Sequence, residues 1–134
     1  MPELIKQFED DDEDVRLAAV EAVGKLGSKE HVPELIKRFE DKDGDVHRAA
    51  VEVVGKLGSK EHVPELIKRF EDDVEDVRRA AVEAVGKLGS KEHVPELIKR
   101  FEDDDEDVRR AAVEAVGKLG SKEHVPELIK RFKD

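Results

Sequence analysis

The chain has 134 residues, 45% of them charged and 37% hydrophobic, with a formal net charge of −10 and no cysteine. That length suits one domain, and without cysteine there is no disulfide framework, zinc–thiolate site or thiol nucleophile, while the negative charge argues against nucleic-acid backbones and anionic membranes as partners. No apolar run approaches the ~18 residues of a membrane span, and Met1-Pro2-Glu3-Leu4 lacks the basic and apolar regions of a secretory signal, so the expected location is cytoplasmic, or no native compartment for a designed chain.

The first element in chain order is a short helix with Leu4, Ile5 and Phe8 on one side. It is also the first copy of a repeat: Pro2, Pro33, Pro64, Pro95 and Pro126 stand 31 residues apart, and a Glu-Leu-Ile-Lys run follows each. A fixed period of this size signals a stacked array. The domain therefore spans 1–134 as a half unit 1–9 and full units 10–40, 41–71, 72–102 and 103–133.

Unit one sets the pattern. Val15, Ala18, Ala19, Ala22, Val23 and Leu26 recur at steps of three and four, the apolar face of a first helix. Asp12 is its expected N-cap, Glu13 and Asp14 suit the positive helix start, and Gly27 supplies the left-handed residue that ends it. Glu21 and Lys25 are spaced for an i,i+4 pair. A second helix carries Val32, Leu35, Ile36 and Phe39. Its start is open between two readings. With Ser28 as cap, Pro33 lies at the fifth helical position and bends the first turn; with a start near Val32, no bend is needed.

Unit two departs most from the pattern, with Lys42, Gly44, His47 and Val53. His47 replaces the arginine found at positions 16, 78 and 109, and if that arginine links neighbouring units, unit two is the weakest joint. Units three and four differ only at Val74/Asp105 and Glu102/Lys133. No segment alternates with period two, so the chain is all-α. The vocabulary is small, lacking Asn, Thr, Tyr, Trp and Cys, whereas evolved recognition faces favour Tyr, Trp and Asn.

Asp14-Val15-Arg16, Ala18-Ala19, Gly24-Lys25-Leu26-Gly27 and Pro33 with Leu35-Ile36-Lys37 resemble the short HEAT-like repeats related to phycobilin-lyase subunits, and especially the artificial consensus proteins built from them. The resemblance covers essentially the whole chain. It implies a right-handed α-solenoid of helix-turn-helix repeats, with second helices lining the concave side and first helices the convex side. The concave contacts it implies are Glu34, Lys37, Arg38, Glu65, Lys68, Arg69, Glu96, Lys99 and Arg100. Glu34 stands four residues before Arg38, so internal pairing competes with use of that stripe for an acidic peptide.

Other candidates have plainer explanations. Glu9-Asp10-Asp11-Asp12-Glu13-Asp14 mimics part of an EF-hand loop, but Val15 stands where that loop needs glycine, and the next residues are helical; capping and solubility explain the run. His31, His62, His93 and His124 recur once per unit, too far apart to share a metal, and are read as structural or solvated. Ser28, Ser59, Ser90 and Ser121 occupy one capping position, and four copies of one surface do not form the single unlike constellation that catalysis needs. No catalytic residue, cofactor or metal is expected.

The favoured function is a non-enzymatic repeat scaffold, designed or consensus-like, that self-associates through open terminal helices carrying Leu4, Ile5, Phe8 and Leu128, Ile129, Phe132. The alternative is a natural adaptor holding a protein or peptide in its groove. A third reading, a phycobilin-lyase-like subunit, rests on the resemblance alone.

Overall fold

The computed structural model describes residues 2–27, 29–120 and 122–133, and its described residues contain helices and no strand. Helix α1 (Pro2–Gln7) is followed by the first helices α2 (Glu13–Leu26), α4 (Gly44–Leu57), α6 (Glu75–Leu88) and α8 (Glu106–Leu119). The second helices α3 (Val32–Lys37), α5 (Val63–Lys68), α7 (Val94–Lys99) and α9 (Val125–Lys133) alternate with them. The chain is an all-α solenoid. None of its described helices is long and apolar enough to cross a membrane.

Local chemistry fixes the ends. The Asp12 carboxylate accepts from the Asp14 N–H, and Asp43 and Asp105 cap α4 and α8 in the same way. Asp10 likewise accepts from Asp12 N–H at 2.9 Å, so the acidic run serves the backbone, as expected. Gly27 closes α2 at φ 72°, the left-handed conformation that favours glycine. The start of the second helix falls at Val32, with Pro33 in its first turn, where the missing N–H goes unfelt and no bend results. A 3-10 turn, Lys29–His31, leads into it, and another, Arg38–Glu40, closes it and buries Phe39. Ser28, Ser121 and the side chains of Phe132 and Lys133 lie outside the described residues.

The first helices stack tightly, α2 on α4, α4 on α6 and α6 on α8, whereas successive second helices make no comparable approach. Each second helix instead packs on the first helix that follows it: α3 on α4, α5 on α6, α7 on α8. Small residues permit the tight layer. A Cβ added to Gly55 would stand 2.7 Å from Ala84 Cβ, and one on Gly86 would stand 3.0 Å from Ala115 Cβ. Gly and Ala thus let successive first helices approach more closely than successive second helices do.

Candidate functional site

Arg16 and Arg78 clasp neighbouring units, and Arg109 stands at the same repeat position. The Arg16 guanidinium donates to both Asp41 carboxylate oxygens at 2.9 and 3.1 Å, and also to the Asp10 carbonyl at 2.7 Å. Arg78 repeats this with Asp103 at 3.0 and 3.1 Å and with the Asp72 carbonyl at 2.8 Å. This bidentate fork is the strong form of an ion pair. Burial pushes the Asp103 carboxyl up, but the Asp105 N–H and the Arg78 guanidinium more than offset it, so its pKa lies below the ordinary value. Arg109 reaches only the Asp103 carbonyl, at 2.7 Å, among described partners.

His47 breaks the series. Its Nε2 stands 3.4 Å from Asp72 Oδ2, buried and without a hydrogen bond. The neighbouring Arg69 is affected too: its contact with the Phe39 carbonyl stretches to 3.4 Å, against 2.7 and 2.8 Å for Arg38 and Arg100 on the equivalent carbonyls. Burial first, and the Arg69 charge second, push the His47 pKa below its ordinary value, against upward pulls from Asp72, Asp41 and Glu40. A lowered imidazole pKa means that the unfolded chain binds the proton more readily. Stability should therefore be greatest above about pH 6.5 and fall as pH drops through that value toward the folded pKa. His47→Arg should restore the clasp, raise stability by ~1 kcal/mol and abolish the loss between pH 7.5 and 5. Urea unfolding at both pH values measures this; an unchanged midpoint for the variant would count against a weak second joint.

The residues expected on the concave side sit in the second-helix layer. Arg38, Arg69 and Arg100 are only partly accessible, because each donates to a carbonyl of the preceding unit. The expected Glu34–Arg38 pairing therefore gives way to a contact between units. Lys68 pairs with Glu65 at 3.4 Å and Lys99 with Glu96 at 3.5 Å. Glu34 stands 3.8 Å from His31 Nδ1, and Lys37 borders a cleft with Arg16 and Asp41. The recurring histidines brace the backbone: His62 Nδ1 accepts from Ser59 N–H and His93 Nδ1 from Ser90 N–H, both at 3.0 Å. Accepting there puts the proton of the neutral ring on Nε2. No group of three potential metal ligands occurs among the described residues.

Smaller clefts lie in the first-helix layer. A cleft of ≈ 180 Å³ lies between Glu52, Gly55, Ala80, Glu83, Ala84 and Lys87. A second, of ≈ 280 Å³, follows between Glu83, Gly86, Lys87, Ala111, Glu114 and Lys118. Glu52, Glu83 and Glu114 are exposed there. The expected Glu21–Lys25 pair and its repeats are not among the ion pairs of the described residues, which leaves both charges facing solvent. Sequence reasoning missed this stripe because helical periodicity shows which face is apolar, not how closely each layer stacks.

The repeat geometry matches a known pattern at the level of sequence as well. The HEAT-repeat profile matches residues 1–85 and again 63–134. This chain belongs to the HEAT-repeat family. No curated protein matches it. Its fold is similar to the complex of CpcE and CpcF of phycocyanin lyase from Nostoc sp. PCC7120, with TM-score 0.80 at 20% identity, covering 99% of this chain and 88% of that one. It is also similar to a designed armadillo repeat protein, with TM-score 0.66 at 22% identity over 97% of this chain and 69% of that one. A related designed armadillo protein, solved in complex with the peptide (KR)4, gives TM-score 0.67 at 22% identity with the same coverage. At these identities the likenesses speak for the HEAT-like fold alone.

Proposed function

We propose that this HEAT-repeat chain is a non-enzymatic scaffold that self-associates through its terminal helices. The observation that carries the reading is the exposure of α9: Val125 and Ile129 are each 43% exposed, whereas Val32, Val63 and Val94 at the same repeat position as Val125 are fully buried. Apolar surface of this kind, repeated in sequence and covered elsewhere, favours association. Light scattering behind size exclusion over a hundredfold concentration range tests it, with refractive-index detection because the chain has no Trp or Tyr. The expected result is a mass that climbs with concentration; a constant mass of one chain would end the proposal.

A second reading places a peptide in the groove of the first-helix layer. Unpaired Glu52, Glu83 and Glu114 recur along it, the net charge is −10, and a protein of similar fold was solved with (KR)4. A basic peptide should bind and lose affinity with added salt. Titration calorimetry with (KR)4 should show heat that shrinks for Glu83→Gln. Equal binding by that variant would remove the groove from consideration.

A further inference from the structure

We propose that the association is a head-to-tail exchange in which α9 of one chain takes the place of α1 on α2 of a second copy. The inference rests on the self-association proposed above and names its partner surface. Three observations converge on it. They concern the face left by the last first helix, the face offered by the first, and the sequence of the two terminal second-type helices.

The last first helix presents an empty socket. Cβ atoms built on Gly24, Gly55 and Gly86 would meet Val53, Ala84 and Ala115 of the following first helix at 2.9, 2.7 and 3.0 Å, so each glycine receives a side chain from the next unit. Gly117, the fourth in the series, has nothing within 4 Å. Val113 beside it is only partly buried, whereas Val20, Val51 and Val82 at the same repeat position are fully buried.

The opposite end presents the matching knob. Ala22 stands at the repeat position of Val53, Ala84 and Ala115, and it is half-buried. Val15 is 37% exposed, whereas Val46, Val77 and Val108 at its repeat position are fully buried. Leu26 is 64% exposed against 6% for Leu57. These two faces are the ones that interlock at the three interior joints, so their fit is already shown within one chain.

Simple stacking would be blocked, because α1 already occupies the second-helix position on α2. The sequence removes the obstacle. Residues 2–6 and 126–130 are identical, as are Phe8 and Phe132, so α9 carries the same apolar residues as the helix it replaces. It brings α8 with it, placing Gly117 over Ala22 and Arg109 beside Asp10. Arg109 and Asp10 occupy the repeat positions that pair as Arg16–Asp41 and Arg78–Asp103 in the interior. The interface is heterologous, with one donor end and one acceptor end per chain, and it propagates.

Complementary single-face variants test this. Ile129→Glu should disable the donor end and Ala22→Arg the acceptor end, each giving a mass of one chain by light scattering with the helical circular dichroism retained. Mixed 1:1, they should form a dimer and stop there, because only one productive pair of ends remains. Phe8→Ala, which removes the buried side chain just after α1, should lower the concentration for half-assembly about tenfold, since displacing α1 becomes easier. If wild type stays one chain throughout, the underlying self-association fails and the exchange with it. If wild type assembles and Ile129→Glu abolishes this, but Ala22→Arg assembles like wild type, two α9 helices pair symmetrically; self-association then survives and the exchange is overturned.

Discussion

Gly55→Val is expected to lower stability by about 3 kcal/mol, the upper part of the usual range for overpacking a tight contact. The added Cβ would lie 2.7 Å from Ala84 Cβ and 3.1 Å from Ala84 Cα. The second of these atoms is backbone, so a rotamer change does not relieve the clash, and α4 and α6 must move apart. Separating them opens the first-helix layer at the middle of the array, where both neighbours are already committed to other contacts. The matched control is Gly117→Val, measured on dilute single chains, where nothing stands within 4 Å. There valine replaces a residue of still lower helix propensity, so the change should stay within about 0.5 kcal/mol. Urea unfolding followed by circular dichroism measures both. Equal effects at the two positions would mean that helix propensity, not the approach of successive first helices, sets the role of these glycines.

Arg78→Ala is expected to cost about 2 kcal/mol, less than a fully buried pair because the guanidinium keeps some contact with solvent. The loss has two parts. The Asp103 side chain, 3% exposed, is left without its fork, and the carbonyls of Asp72 and Asp73 lose their donor. Arg79→Ala is the control: its pairs with Asp76 and Asp107 are both 3.9 Å long, and its removal should cost no more than about 0.5 kcal/mol. The clasp also predicts a pH dependence. Because the Asp103 pKa lies below its ordinary value in the folded chain, its contribution is present above pH ~4 and is lost as pH falls through the folded pKa. Arg78→Ala should therefore flatten the acid limb of the stability profile as well as lowering its plateau. A variant as stable as wild type at pH 7 would show that the fork merely occupies the joint.

Much of the architecture is legible in the sequence because the repeat shows it several times over. The 31-residue period, the caps at Asp12 and Gly27 and the apolar stripes depend on local spacing; the structure shows the caps and buries the stripes of α4 and α6, while Val15, Ala18 and Leu26 of α2 stay exposed. The linking role of the arginine at position 16 and the anomaly at His47 were visible as a substitution in an otherwise uniform column; their geometry bears this out at 2.9 and 3.4 Å to the facing carboxylates. The groove was less legible. Glu34, Lys37 and Arg38 look like free surface charges on a helical wheel, yet Arg38 spends its guanidinium on the Phe8 carbonyl 30 residues away.

What the sequence determined by itself is everything governed by neighbours along the chain: helix identity, ends, the repeat, and the pairing of like positions in successive units. Everything governed by the spacing between layers follows instead from how the helices pack. How tightly successive first helices stack depends on how closely Gly55 and Gly86 admit Ala84 and Ala115. The status of Gly117 as an open socket depends on what stands opposite it, since Gly55, Gly86 and Gly117 all precede an identical Lys-Leu-Gly-Ser run. The physical reason is that an identical local sequence receives a different environment at the end of a stack than in its middle.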